Sequence, residues 1–475
     1  MGYEVVIGLE VHARLLTESK IFCACSTHFG SEPNAHTCPV CLGMPGSLPV
    51  LNRKAVELAL RAALATESRI LPVSMFSRKN YFYPDLPKSY QISQLEMPLC
   101  QGGRIKIQPE GRPGKLIRLN RIHIEEDAGK LVHDPARPVS YVDYNRSGTG
   151  LIEIVTEPDL GSPEEVVAYL KALRDILVYT QVCDGNMEEG SFRCDANISL
   201  RPWGQEKLGT KIELKNMNSF RFVQKALEYE IARQRTVLDR GGTIVQQTRL
   251  WDTAANRTQA MREKEDAHDY RYFPDPDLLP LELDAAFIEN VRLNLPELPA
   301  ARKLRFQNDY QLSAYDAGVL TSSRLLADYF EQVTGAGADA KTAGNWIMTE
   351  LLAVMNSEED PHAVMPPERL SGLLRLLTQG EISGAMAKKV FARMIATGKE
   401  AALIVSQEGL KQVSDSGALE KILQDIFTAH PSQVEEYKAG KDKLSGFFVG
   451  LAMKQTKGQA NPAMLNELVK KMLGK

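Results

Sequence analysis

The chain has 475 residues, 43% hydrophobic and 25% charged, a length that exceeds one hydrophobic core and predicts roughly two to four domains. A formal net charge of −3 excludes a protein coated in basic surface, although a local basic patch would suffice to bind nucleic acid. No apolar run is long enough to span a bilayer, no charged-then-apolar leader opens the chain, and the seven cysteines are an odd number, so a cytoplasmic chain with reduced thiols is expected.

Residues 5–13 alternate as a strand, with Val5, Ile7, Leu9, Val11 and Ala13 on one face and Glu10 and His12 on the other. A carboxylate and an imidazole two residues apart on a strand can ligate one metal ion, or the histidine can simply hydrogen-bond nearby. Cys23 and Cys25, then Cys38 and Cys41, form two close pairs separated by a short loop. That spacing suits tetrahedral thiolate ligation of a zinc ion, closed and therefore structural. Two disulfides or idle thiols are the alternative, with His28 or His36 as substitute ligands. Asn52 caps a predicted helix running to about Thr66, with Val56, Ala59, Leu60 and Ala63 as its apolar stripe. Residues 77–88 are dense in aromatics and cations; Arg78 and Lys79 beside tyrosines can hold a phosphate and stack on a base, or the prolines can make a rigid structural loop.

The stretch from Arg121 to Gly129 repeats the segregation seen at Glu10 and His12. Arg121, His123 and Glu125 share one strand face, Ile122 and Ile124 take the other, and Glu126 and Asp127 follow. Ser162, Pro163 and Glu165 form a helix start, and the helix is expected to reach Tyr179 with Val166, Val167, Leu170, Leu173 and Leu177 facing a core. Two more alternating strands follow, with polar faces Arg193, Asp195, Asn197, Ser199 and Lys211, Glu213, Lys215. One such face is ordinarily just wet. Four of them, rich in acids, amides and arginines, fit a polar trough holding two divalent ions. The chain has no G-x-x-x-x-G-K-[ST] loop, so a nucleotide would not be held by a P-loop.

Several of these stretches carry a resemblance. Residues 8–12, Arg78 to Pro84, residues 125–130, Leu151 to Asp159, Gly190 to Asn197 and Glu213 to Ser219 resemble the signatures of the GatB family, one of the subunits of aspartyl/glutamyl-tRNA amidotransferase. The match spans essentially the whole chain; one departure is Gly150, where proline is expected, and it removes no candidate ligand. The resemblance implies an α+β chain: a glutamine-synthetase-like antiparallel β cradle, then an all-α domain and a small helical tail. It also implies an ATP-dependent, glutamine-hydrolysing carbon–nitrogen ligase acting on Glu-tRNA(Gln), Asp-tRNA(Asn) or both, and, as in some relatives, a structural zinc.

A carboxylate does not react with ammonia, so it must first become an acyl phosphate, and phosphoryl transfer onto an anion needs metals and cations. Glu10, His12, Glu125, Glu126, Asp195 and Glu213 are the expected catalytic and Mg2+-binding residues, at two sites. Arg78, Lys79, Arg193 and Lys211 are the expected ligands of the ATP phosphates. Nothing in the chain resembles an amidase loop, so ammonia must come from another chain. The resemblance names the amidase GatA and the tethering subunit GatC as partners, with misacylated tRNA as substrate.

Trp251 to Arg257 and Asp269 to Pro274 bring further aromatics and arginines that line the trough mouth or simply pack. The prolines of residues 295–299 mark a boundary, after which apolar residues recur at helical spacing in 323–333, 346–355 and 370–377. The expected domains are a catalytic cradle at 1–294 with its zinc insert at 23–41, a helical domain at 295–405, and a tRNA-binding, YqeY-like tail at 406–475. From Lys438 onward, eight lysines face only Asp442 and Glu467, a formal +6 that suits a phosphate backbone, with Lys441, Lys443, Lys454 and Lys457 as candidates. A stand-alone ammonia-dependent ligase and a non-catalytic tRNA scaffold are the rival readings.

Overall fold

Period-two alternation dominates the first part of the chain and period 3.6 the rest, and the architecture divides in the same way. The computed structural model describes residues 2–263, 270–356, 360–410, 416–456 and 460–474. It contains two compact units, Met1–Leu298 and Pro299–Lys475. The chain is α+β: a large sheet with helices in the first unit, helices alone among the described residues of the second.

The elements that position the site are β1 (Tyr3–Arg14), α1 (Arg53–Ala65), β2 (Ser77–Asn80), β3 (Tyr90–Ser93), β4 (Lys115–Glu126), β5 (Gly150–Thr156), α2 (Pro163–Tyr179), β6 (Phe192–Pro202), β7 (Ile212–Lys215), α3 (Phe220–Asp239), β8 (Gln247–Asp252), β9 (Arg257–Glu263) and β10 (Phe273–Pro274). The main sheet has ten strands in the order β9-β8-β7-β6-β1-β5-β4, continued by the short strands Cys100–Gln101 and Arg69–Ile70, with Arg104–Ile107 also paired to β4. Neighbours are antiparallel except β7 and β8, which run parallel. A second sheet of three strands has the order β10-β2-β3.

One face of the main sheet is apolar. Ile7, Leu9, Val11, Ile122, Ile124, Ile152, Ile154, Ala196 and Ile198 are all buried there, and they share one core with Val56 and Leu60 of α1, Leu170 and Leu173 of α2, and Val223 and Leu227 of α3. Burying each aliphatic side chain stabilises by about 1.5–3 kcal/mol, which fixes which face looks inward. The polar residues are therefore forced onto the opposite face.

The helix starts follow their sequence signals. Ser162 accepts the Glu165 N–H, Pro163 opens the first turn, and Glu165 reaches back to the Gly161 N–H at 2.9 Å. On α2, Val166, Tyr169, Leu170, Leu173 and Leu177 are buried, whereas Val167 is only half-buried because it lies one step off the stripe. In the second unit the helix expected from Trp346 begins earlier, at Ala340, where Asp339 caps it through the Thr342 N–H, and passes into a π-helical turn at Ile347–Leu351. Helices Ser416–Ala429, Pro431–Lys438, Ser445–Gln455 and Pro462–Leu473 share a core that includes Leu419, Leu423, Tyr437, Phe448 and Val469. Among the described residues no helix is long and apolar enough to cross a membrane.

Gly129, just beyond β4, donates its N–H to the Asp85 carbonyl at 2.8 Å, and a Cβ there would lie 2.9 Å from the Asp143 carbonyl oxygen and 3.0 Å from that of Asp85. Backbone on both sides cannot yield cheaply. Gly129→Ala should destabilise the first unit by about 1–3 kcal/mol in denaturant unfolding. Gly372→Ala, in the helix Pro367–Thr378 with nothing within 4 Å, should instead stabilise by about 0.5–1 kcal/mol.

Candidate active site and metal centres

Strand register builds the site. Glu153 on β5 lies opposite His12 of β1 on one side and opposite His123 of β4 on the other, so a His–Glu–His row crosses three strands. Beyond His12, on β6, stands Arg193. The Glu153 Oε2 atom is 3.3 Å from His12 Nε2 and 3.4 Å from His123 Nε2. Glu125, two residues along β4, closes the group, with Oε1 3.6 Å from His12 Nε2 and Oε2 3.5 Å from His123 Nε2. The hydroxyl of Ser93 on β3 donates to Glu125 Oε2 at 2.9 Å. Ligand atoms of His12, Glu125 and Glu153 all lie within 4.8 Å of one another.

Burial and charge compete in this group. Burial pushes the imidazoles toward neutrality, but the hydrogen bond with Glu153 and the charge of Glu125 raise His12, and Glu153 and Glu125 hold His123 up at about 9. Burial likewise pushes the carboxylates up, yet the hydrogen bond from His123 holds Glu125 below its usual range, and the charges of His123 and His12 hold Glu153 well below it. These two buried carboxylates share the two histidines, with Arg121 Nη2 4.0 Å from Glu153 Oε1, and with His12 they could hold a cation.

A second group lies alongside. Glu10 faces Asp195 across β1 and β6, and the Asn197 amide donates to Glu10 Oε1 at 3.0 Å. Lys215 Nζ donates to Asp195 Oδ2 and lies 3.1 Å from Glu213 Oε1, whose other oxygen accepts from the Thr248 hydroxyl at 2.7 Å. Burial opposes the charge of Lys215, but Asp195 and Glu213 raise its pKa far above the ordinary value.

Other expected site residues stand elsewhere. Glu126 follows Glu125 and so points to the opposite side, where its Oε1 accepts from Lys88 Nζ and, at 2.9 Å, from the Ile92 N–H. Arg193 is held by Asp127 through two bonds of 3.0 and 3.1 Å. Arg78 is held by Asp275 and Asp277, both at 2.8 Å. Lys79 rests 5.0 Å from the Tyr270 ring centroid; burial disfavours its charge, but Glu125, Tyr272 and Glu153 raise its pKa. Lys211 is exposed at a cavity of about 430 Å³ shared with Glu10, Asn197 and Ser199. A larger cavity, about 490 Å³, is lined by Arg14, Phe29, Asp127, Arg146, Arg193 and Asn216. In the second unit, Lys441, Lys443 and Lys454 are exposed, and Lys457 lies outside the described residues.

Glu153 and His123 are not among the ligands expected from sequence. The signal for Glu153 is nevertheless there: Leu151, Glu153 and Val155 alternate with the buried Ile152 and Ile154, so a lone acid marks the polar face of β5.

The sulfur atoms of Cys23, Cys25, Cys38 and Cys41 also lie within 4.8 Å of one another, and those of Cys38 and Cys41 are 3.9 Å apart. Tetrahedral zinc with Zn–S bonds of about 2.3 Å requires sulfurs about 3.8 Å apart. Against burial, a hydrogen bond from Cys23, the Cys38 N–H at 3.1 Å and the nearby Lys20 ammonium hold the Cys41 thiol down at about 4. The same hydrogen bond with Cys41 pushes Cys23 far above the ordinary thiol range, and burial pushes Cys25 up to about 11, so without a metal Cys41 carries the charge while Cys23 and Cys25 keep their protons. His36 turns instead to the Ser31 hydroxyl at 2.7 Å.

Residues 5–289 match the family model of the GatB/GatE catalytic domain, and residues 328–473 match that of the GatB domain. The chain is 58% identical over 474 residues to the GatB protein of the aspartyl/glutamyl-tRNA(Asn/Gln) amidotransferase of Solidesulfovibrio magneticus, covering 99% of each chain. The chain belongs to the GatB family. GatB relatives of the same description from Desulfotalea psychrophila and Moorella thermoacetica are 58% and 56% identical to it, each aligned over all of both chains.

Two measurements follow for this GatB chain. His123 sits at about 9 when folded, against an ordinary value of about 6.5. A raised folded value stabilises fully below the unfolded value and is lost as pH rises through the folded one. In magnesium-free buffer the melting temperature should therefore fall from about pH 6.5 to about pH 9, and His123→Gln should flatten that decline. Elemental analysis of the reduced chain should find about one zinc, and Cys41→Ser should remove it and lower the melting temperature of the first unit.

Proposed function

We infer that this chain is the component of a tRNA-dependent amidotransferase, a glutamine-dependent ligase, that activates the side-chain carboxylate of Asp-tRNA(Asn) or Glu-tRNA(Gln) with ATP and replaces it with an amide. The observation that carries this is the His12–Glu153–His123 row with Glu125, beside the Asp195–Lys215–Glu213 group on one polar sheet face. A sheet with helices in the core of one face and ionisable groups on the other supports a glutamine-synthetase-like cradle.

Carboxylates with one imidazole suit a divalent cation of the Mg2+ or Mn2+ kind. His12, Glu125 and Glu153 would hold one such ion, and Glu10, Asp195 and Glu213 a second. Bound there, Mg2+ supplies positive charge to the phosphates of ATP as the acyl phosphate forms. The protein's own part is to orient these groups: Ser93 fixes Glu125, Asn197 fixes Glu10, and Thr248 fixes Glu213. The cavity at Lys211 suits the nucleotide, and the arginine-lined cavity at Arg193 suits the acceptor end of tRNA.

Ammonia would come from a partner amidase, GatA, with GatC as tether. Cys100, Cys183 and Cys194 are buried and the other four cysteines cluster where zinc ligation would occupy them, which supports an outside source. The four-cysteine cluster would hold structural Zn2+. We place a helical domain at 295–405, which lies in the second unit from Pro299 onward, and a tRNA-binding tail at 406–475, because the tail helices have a core of their own and expose Lys441, Lys443 and Lys454.

In the assembled complex, ATP consumption should require misacylated tRNA, and Glu153→Gln should lower it by about 10²–10³-fold while keeping the side-chain shape. Turnover of free glutamate without tRNA would instead make the chain a stand-alone ligase. No ATP turnover at all would make it a scaffold.

A further inference from the structure

Most cations that frame the polar face are already balanced. Arg78 has Asp275 and Asp277, Arg193 has Asp127, and Lys215 has Asp195 and Glu213. Lys88, on the other side, has Glu126. Among the described residues Lys79 forms no hydrogen bond and no ion pair within 4 Å; its close partner is the Tyr270 ring. Its place is nevertheless fixed. In the small sheet Lys79 pairs with Gln91 and Ser77 with Ser93, so alternation puts Lys79 and Ser93 on one face. From that face the Ser93 hydroxyl grips Glu125 and the Gln91 amide donates to the Glu126 carbonyl at 2.7 Å. Lys79 therefore looks onto the end of β4 that carries the glutamate cluster. Tyr81 and Tyr272 stand 6.1 and 6.2 Å from Tyr270 and complete an aromatic wall behind it.

Sheet order makes the position informative. Arg193 and Lys215 approach the histidine–glutamate row from the β6–β7 side, and Lys79 approaches from the β4 side. An anion lying over the row would meet positive charge on both flanks. An ammonium backed by tyrosines and without a paired carboxylate is poised for that anion.

We propose that Lys79 is a catalytic residue of the activation step, donating hydrogen bonds to the oxygens of the phosphoryl group while it passes to the substrate carboxylate, with Tyr270 and Tyr272 as the wall beside the acyl group. The proposal rests on the metal-dependent phosphoryl transfer put forward above. In that step a carboxylate oxygen forms a bond to the γ-phosphorus as the bond from that phosphorus to the β,γ-bridging oxygen breaks, and the bonding pair leaves on ADP. No proton moves to or from Lys79. Its charge offsets the repulsion between two anions being brought together, where the guanidiniums of Arg78 and Arg193 are committed to carboxylates.

The test uses the chain assembled with its amidase partners and compares Lys79→Met and Lys79→Arg with the unaltered protein. Rapid-quench measurement of tRNA-dependent ADP formation should show a loss of about 10²–10³-fold in Lys79→Met, and Lys79→Arg should recover part of it. Mn2+ affinity, read by electron paramagnetic resonance without nucleotide, should be unchanged or tighter in Lys79→Met, because a positive charge has left the neighbourhood of the acids. Turnover within about twofold of the unaltered protein would overturn the proposal. So would a loss of Mn2+ binding in step with turnover, since Lys79 would then act only by supporting the acids. Glu125→Gln serves as the marker of the underlying reading: unchanged Mn2+ affinity in that variant would sink the metal centre, while Lys79 would still stand or fall on its own turnover.

Discussion

Everything at the candidate site depends on one constraint, the burial of negative charge among strands whose other face packs into the apolar core. Glu125 is 3% exposed and Ile124 beside it is not exposed at all. The sheet cannot slip by one residue to relieve the carboxylate without turning Ile122 and Ile124 out of the core. The acids are therefore held in place by hydrophobic packing, and the histidines and the proposed cation answer a charge that the fold does not allow to escape.

The same constraint separates neighbours in sequence. Glu125 and Glu126 look alike on paper, yet one serves the polar face and the other meets Lys88 behind it. Arg78 and Lys79 divide similarly: the arginine ties β2 to the segment carrying Asp275 and Asp277, and the lysine turns toward the site. Arg193 serves Asp127, so it orders the end of β4 as much as it offers charge to a ligand. Runs of like residues on a strand thus split into one member for architecture and one for chemistry.

Much of this was legible in the sequence. Alternation around Glu10, His12, Glu125, Asp195 and Glu213 located the polar face, because period two is a local property. The capping residues Asn52 and Ser162 located helix starts for the same reason. The cysteine spacing located a cluster whose sulfurs converge in space. What was not legible is register. That Glu153 stands between two histidines depends on which residue of β5 faces which residue of β1 and β4, and no local pattern carries that information. The engagement of Arg78 by acids almost two hundred residues away is hidden for the same reason.

The central place of β1 has a consequence for how the chain comes to be folded. Its 12 residues pair on one edge with β5 and on the other with β6, both more than a hundred residues downstream. During synthesis β1 emerges well before its partners, a strand with one apolar face and two open edges, and it stays so until residues 150–202 have followed. Contacts so distant in sequence make folding slow, and open edges invite pairing with the wrong chain. A strand that waits so long for both partners is a stretch in need of protection before the sheet closes over it.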